Sequence, residues 1–495
     1  MSGEITMVPE TTILIVVVVY LGVVLSIGAA AFRRSVSTPE DYFLGGRLAK
    51  SVVLFMALFG TNITPFLIMG ISGLAYHHGF GVFGYTAAMA ALIIPVAYYV
   101  IGYPAWIASK QFNAVTPAEL LSRRLASPNL GRLLFVVYFL YMLPYMSTGV
   151  AGLGLAVDVF TQQAISFETA AAGILAITLI YTTTGGMRAT MWTNVFQGLV
   201  FGVFLYVSIF VVAADFGGVP AVMKEVARRF PELTATKDSA PFTTGSWFVW
   251  GMSMGLVVLS FPHLLVRIFA AKDVKSLKNS IRYYPVIMIG LMLVATLFGV
   301  WGRLDFPDFV GRESDVVFPM VIRSHFGPMI QGLALAGILA AVMSTLDAQM
   351  LTLSSMLTRD VWYGLSQQLQ VILGRLFLVI LGAITYYIVI LRPDSIFAIA
   401  QLSFSGFVTL TPIWLLSLHW RRFTAPAAIS AIIGGNAVLI TLFNEWIPNP
   451  GLIPVAWSFL TTSLIGIGVS YFTAPPPEPV VRPVMDKISK AMGSG

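Results

Sequence analysis

The chain has 495 residues, of which 57% are hydrophobic and only 10% are charged, against roughly 25% charged in soluble domains. That balance excludes a soluble enzyme, a secreted disulfide scaffold and a disordered chain, and the absence of cysteine removes thiolate metal sites and a cysteine nucleophile. The net charge of +7 leaves nucleic acid open only until the positive residues are placed.

In chain order, the apolar runs predict thirteen membrane-spanning helices, each long enough to cross ~30 Å of hydrocarbon. They cover 11–31, 51–75, 82–108, 132–158, 167–184, 193–214, 245–270, 284–302, 328–357, 372–391, 395–418, 425–445 and 452–472. The residues before span one carry Glu4 and Glu10 but no Lys or Arg. They lack the positive start of a cleaved export signal, so span one is expected to be retained. The tail opens on Pro475, Pro476 and Pro477, which stop the last helix. No appended soluble domain is expected.

Span two contains Gly60, Pro65, Gly70 and Gly73, and span seven contains Gly251, Gly255 and Pro262. Pro and Gly loosen the hydrogen-bond ladder, and kinked helices alone would account for that. Position adds weight. The two spans lie five apart and therefore run in opposite directions, so spans two to six and seven to eleven read as inverted repeats. Interrupted helices at matching places in such halves point to a transporter binding site.

Most of the 29 positive residues fall on one side if the N-terminus is outside. Arg33, Arg34, Arg47, Lys50, Lys110, Arg123, Arg267, Lys272, Arg359 and Arg421 are among those on the inner side, and no Lys or Arg is expected at mid-span. The basic balance is thus a positive-inside bias, with the C-terminus cytoplasmic, and nucleic-acid binding loses its support. Of the 22 acidic residues, Asp347 alone is expected deep within a span. A charge there costs about 2.5–3.5 kcal/mol on insertion scales, which makes it a functional candidate ahead of a merely satisfied buried acid. In span nine, Ala334, Gly337, Ala341, Ser344, Ala348, Thr352 and Ser355 form a small-residue stripe, suited to close helix contact. Ser344 and Thr345 add adjacent hydroxyls near mid-span, and hydroxyls with carbonyls from a broken helix suit a hard cation such as Na+.

These residues resemble a known family. Asp41-Tyr42-Phe43-Leu44-Gly45-Gly46-Arg47 precedes span two. Tyr181-Thr182-Thr183-Thr184-Gly185-Gly186-Met187-Arg188-Ala189 is followed by Trp192-Thr193-Asn194 and Gln197. Ala341-Val342-Met343-Ser344-Thr345-Leu346 lies in span nine, and Phe261-Pro262-His263 with Arg267 closes span seven. Together, in order and at these spans, they resemble the sodium/solute symporter family over essentially the whole chain. Its proline, monocarboxylate or acetate, and pantothenate branches look most similar. The resemblance implies an all-α polytopic membrane fold with a five-plus-five inverted-repeat, leucine-transporter-like core. Within a single transporter domain, 1–495, it implies an extra helix at 11–31, repeats at 51–214 and 245–418, two further helices at 425–472 and a cytoplasmic tail at 473–495.

The resemblance further implies a Na+ site from the carbonyls of Gly60, Ile63 and Ala341 and the hydroxyls of Ser344 and Thr345. Asn194 stands where the proline branch has an Asp assigned to a second cation site. Asp347 is the residue expected to restore that charge, for a second cation or a proton. The implied solute pocket draws on Thr61, Asn62, Thr64 and Phe66; Tyr141 and Tyr145; Trp250, Ser253 and Met254; and Gln401 and Ser405. Any one aromatic there is more often packing than ligand. The expected activity is sodium-coupled symport of a small organic solute, with a small carboxylate favoured. A proline-like amino acid, a sugar, or proton coupling through Asp347 are the alternatives. No enzymatic activity, no cofactor beyond Na+ as coupling ion, and no partners beyond the solute, Na+ and lipid are expected.

Overall fold

The computed structural model describes residues 9–32, 39–235, 242–362, 364–391 and 394–493, with side chains omitted at a few positions within helices. Arg33 and Arg34, expected on the inner side, lie outside the described residues. Among the described residues the chain is helical throughout, apart from one isolated bridge between Ala49 and Ala271.

Ten helices among the described residues are long and apolar enough to cross a membrane. Two bent pairs and the shorter segment Phe167–Thr183 bring the spans to the thirteen expected. Spans five and six need one remark. The helical segment Phe167–Asp215 has 49 residues and would reach ~73 Å as one straight helix. Both ends nevertheless sit at one end of the bundle. Phe167 packs on Gly154 of span four, Arg323 donates to the Val159 carbonyl, and His325 contacts Asp215. The chain therefore reverses between Thr183 and Thr190, and the segment crosses twice.

The breaks fall where proline dictates. Span two is helical over Ser51–Asn62, extends at Ile63 (ψ 110°), and restarts over Phe66–His78 at 55°. Pro65 disfavours a helical residue before it and brings no N–H. Span seven is helical over Thr244–Val257 and again over Pro262–Phe269, bent by 40°. Phe261 is extended before Pro262, which then takes the first helical position.

Span nine, within Pro328–Met356, is the axis of the molecule: every residue from Ala334 to Met356 is buried. It packs on spans one, four, five to six and ten. Spans twelve and thirteen pack on each other and against span eleven. The tail is not only a polar end. Glu478–Met492 is an amphipathic helix whose Val481, Val484, Met485 and Ile488 are buried against the ends of spans three and eleven.

Two cavities of about 520 Å3 each open at the end of the bundle that carries Glu10, and Arg312, Asp315 and Asp394 line both. The opposite end is tied shut. Arg47 donates to the carbonyls of Phe269 (3.2 Å) and Ala114 (2.7 Å). The Ala49 and Lys272 amides close the bridge, at 3.1 and 2.9 Å. Trp106 Nε1 donates to Ala271 O at 3.0 Å, and Arg359 reaches Glu119 at 2.8 Å.

Candidate functional site

The breaks and span nine meet at the centre. The Thr61 carbonyl has no helical partner, because residue 65 is proline. Leu67 N donates to Thr64 O rather than to Ile63 O. Span nine supplies the hydroxyls that meet these freed oxygens. Ser344 Oγ lies 2.8 Å from Gly60 O and 3.1 Å from Ala341 O. Thr345 Oγ1 lies 3.0 Å from Thr61 O, 3.1 Å from Ile63 O and 3.0 Å from Ala341 O. All five residues expected around a cation are thus brought together, with Thr61 as a sixth oxygen source that the motifs did not single out. Two hydroxyl protons are shared among four carbonyls. Such an oxygen-rich, proton-poor cluster fits a hard cation.

Asn194 packs directly on this cluster. A Cβ placed on Gly60 would lie 3.2 Å from Asn194 O, so any larger residue would press spans two and six slightly apart. The orientation of the Asn194 amide is assigned from its hydrogen-bonding neighbours. With Oδ1 toward span two, it accepts from Thr61 Oγ1 and from Arg267 Nη2, each at 3.1 Å, while Nδ2 donates to Thr190 O at 2.8 Å and Gln197 Oε1 at 3.2 Å.

Arg267 is a correction to the sequence reading, which put it on the inner side and no arginine at mid-span. It is fully buried. Its Nη2 lies 3.4 Å from Asp347 Oδ1, and Asp347 is equally buried. Nη1 donates to Thr190 Oγ1 at 3.2 Å, and Tyr181 OH donates to Asp347 Oδ2 at 3.1 Å. The physical reason is mutual: neither charge is tolerable in apolar surroundings alone, and each desolvated group is balanced by the other.

The solute candidates separate into groups. Asn62, Thr64, Phe66, Tyr145 and Met254 line one central pocket. Its remaining walls are apolar, with Phe261, Phe404, Met288 and Met292. These were missed because nothing distinguishes one apolar residue from its neighbours in an apolar span. The space left is about 20 Å3, little more than a single water requires. Thr61 serves the oxygen cluster instead. Tyr141 turns away and donates to Asn436 Oδ1 at 2.6 Å. Trp250 is buried in a stack with Tyr85, 5.8 Å between centroids. Ser253 donates to its own helix at Val249 O and lines a lateral apolar groove against span thirteen. Gln401 lines one of the large cavities, and Ser405 donates to the Gln401 carbonyl. Phe66 contacts Phe397 and Phe404, at 5.4 and 4.8 Å, and so separates that cavity from the central pocket. His263 is buried beside Tyr145 and Phe261, and neither ring nitrogen has a hydrogen-bond partner among the described residues.

Comparison with known proteins places the chain in a family and a fold. The chain is 29% identical to a sodium/proline symporter of Haemophilus influenzae, covering 97% of this chain and 98% of that one. It is 30% identical to a sodium/pantothenate symporter of Escherichia coli, covering 92% and 96%. Its fold matches that of a Na+-coupled sialic acid symporter in a substrate-bound, outward-open state, with a TM-score of 0.79 at 18% identity over 94% and 98% of the two chains. The fold is therefore leucine-transporter-like. Residues 42–435 match the model of the sodium:solute symporter family, and the chain belongs to that family of integral membrane symporters, for which Na+ is the coupling ion.

Proposed function

We propose that this chain carries a small carboxylate solute across the membrane together with Na+, by alternating access. The observation that carries the reading is the oxygen cluster beside an almost filled, charge-free pocket. Na+ is held by the carbonyls of Gly60, Ile63 and Ala341 and the hydroxyls of Ser344 and Thr345. The solute sits one step away, between Asn62, Thr64 and Tyr145 on its polar side and the Met and Phe walls on the other. No charged side chain lines that pocket among the described residues. An anion there relies on amide and hydroxyl donors and on the adjacent Na+. The solutes named for the relatives and the structural neighbour, proline, pantothenate and sialic acid, all bear a carboxylate.

Residues 51–214 and 245–418 act as the two inverted halves that rock about this centre, with 11–31 and 425–472 as flanking helices. The N-terminus faces outside and the tail inside, in line with the positive-inside bias. The cavities beside Asp315 are then the outer approach, and the ties at Arg47 and Glu119 hold the inner side closed.

Stoichiometry sets the performance. One Na+ with a monoanion moves no net charge, so a tenfold Na+ gradient supports about tenfold accumulation. A zwitterion would gain roughly 50-fold more from ~100 mV of membrane potential.

The test is uptake into proteoliposomes of acetate, pyruvate, pantothenate, proline and glucose, each with and without a Na+ gradient. Sodium-driven uptake of one of the carboxylates is expected. Uptake unchanged when K+ replaces Na+ at fixed pH would overturn the coupling. Transport of glucose alone would overturn the solute class, and selective uptake of proline would favour the amino-acid alternative instead.

A further inference from the structure

Arg267 occupies a position that calls for explanation. Its Nη2 lies between two oxygens on different spans, Asp347 Oδ1 at 3.4 Å and Asn194 Oδ1 at 3.1 Å. Asn194 in turn accepts from Thr61 Oγ1, whose own carbonyl belongs to the Na+ cluster. The guanidinium thus abuts the Na+ site, in a chamber walled by a carboxylate, an amide oxygen and the Thr190 hydroxyl. Those are ligands for a hard cation. Here a side-chain cation fills the space. It is anchored on the short second segment of broken span seven and cannot leave.

We infer that Arg267 is a built-in substitute for a second mobile cation, so that this chain binds a single Na+ and Asp347 serves the arginine rather than an ion or a proton. The inference rests on the Na+ site proposed at Ser344 and Thr345. It deepens that reading by fixing the number of ions. The same carboxylate and amide oxygens would hold a Na+ if the guanidinium were removed, because the negative charge of Asp347 would otherwise remain buried without a counter-charge. Arg suits the role better than Lys: its planar fork reaches Asp347, Asn194 and Thr190 at once and stays charged. A consequence for transport follows. With a monoanion the cycle is electroneutral, and removal of Arg267 converts it to one that carries net positive charge.

The experiment is equilibrium binding of radioactive Na+ to the purified full chain in nanodiscs, without solute. Wild type is expected to hold one Na+ per chain, with a Hill slope of about one. Arg267→Gln is expected to hold two, with a steeper slope. The double variant Arg267→Gln/Asp347→Asn, which leaves no unpaired charge, is expected to return to one. Two Na+ per wild-type chain would overturn the inference without any variant, as would a single Na+ in folded Arg267→Gln. Binding that is absent, or unchanged by Thr345→Ala, would instead overturn the underlying Na+ site and the inference with it.

Discussion

The guanidinium of Arg267 and the carboxylate of Asp347 face each other at 3.4 Å with neither side chain exposed. They join the second segment of span seven to the centre of span nine, next to the hydroxyls of Ser344 and Thr345. Removing one member of a buried pair leaves the other charge uncompensated, at a cost of about 3–5 kcal/mol, while replacing both by apolar groups of similar volume is near neutral. Thermal unfolding in nanodiscs is therefore expected to show a large loss for Asp347→Leu. Most of the loss should be recovered in Arg267→Met/Asp347→Leu. Additive losses in the double variant would contradict a direct pairing.

Spans two and eight touch through Gly299. A Cβ there would lie 2.1 Å from Ser72 O and 2.9 Å from Ala75 Cβ. Ser72 Oγ donates across the same contact to Ala295 O at 2.7 Å. Since the obstacle is backbone, the helices must part. Gly299→Ala is expected to cost about 1–3 kcal/mol, read as a lower unfolding midpoint. Gly173→Ala, with nothing within 4 Å of its added Cβ, is the control and should change little.

His325 lies between Asp305 (2.9 Å) and Asp215 (2.7 Å) and ties the ends of spans six and eight to the short helix that precedes span nine. The Asp305 carboxylate, opposed by partial burial and aided by Asp215, raises its proton affinity above the ordinary histidine value. A raised folded value means that the stabilisation is complete below about pH 6.5 and is lost as pH rises through the folded value. Unfolding midpoints are expected to decline over that range in wild type. The decline should be smaller in His325→Gln.

Asp315 acts in the same direction at lower pH. Burial, opposed by the Ile396 N–H and reinforced by Asp394, pushes its carboxyl up to about 7. The folded protein then keeps a proton that the unfolded chain releases near pH 4, so this residue makes stability fall as pH rises from about 4 to about 7. Asp315→Asn should remove that contribution. Because Asp315 lines both large cavities, ionisation also adds negative charge to the proposed solute approach. Uptake of a carboxylate is expected to decrease as outside pH passes about 7, and to decrease less in Asp315→Asn.

Much of this architecture is legible in the sequence, because its signals are local. Apolar run length sets the spans, and Pro65 and Pro262 set the breaks. Ser344 and Thr345 stand out as adjacent hydroxyls near the middle of a mostly small and apolar span, close to its one carboxylate, Asp347. What is not legible depends on distant partners. Nothing near Arg267 announces Asp347, 80 residues away, and a position just before Lys272 reads as the end of a span. Tyr141, Trp250, Ser253 and Gln401 have the right chemistry at plausible depth. Helix rotation decides which way they face, and in these four cases it turns them to Asn436, Tyr85, a lateral groove and the Asp315 cavity. The helix Glu478–Met492 is hidden by Pro479 and Pro483, although its apolar residues recur at helical spacing.

The proposed Na+ site is tested most directly by radioactive Na+ binding to purified wild type, Thr345→Ala and Thr345→Ser. The Thr345 hydroxyl touches the carbonyls of Thr61, Ile63 and Ala341 together, so its loss would remove one proposed ligand and loosen two others, Ile63 and Ala341. Saturable binding is expected in wild type and in Thr345→Ser, with affinity lowered at least tenfold in Thr345→Ala, or about 1.4 kcal/mol. Thr345→Ala that folds and binds Na+ as tightly as wild type would contradict the account.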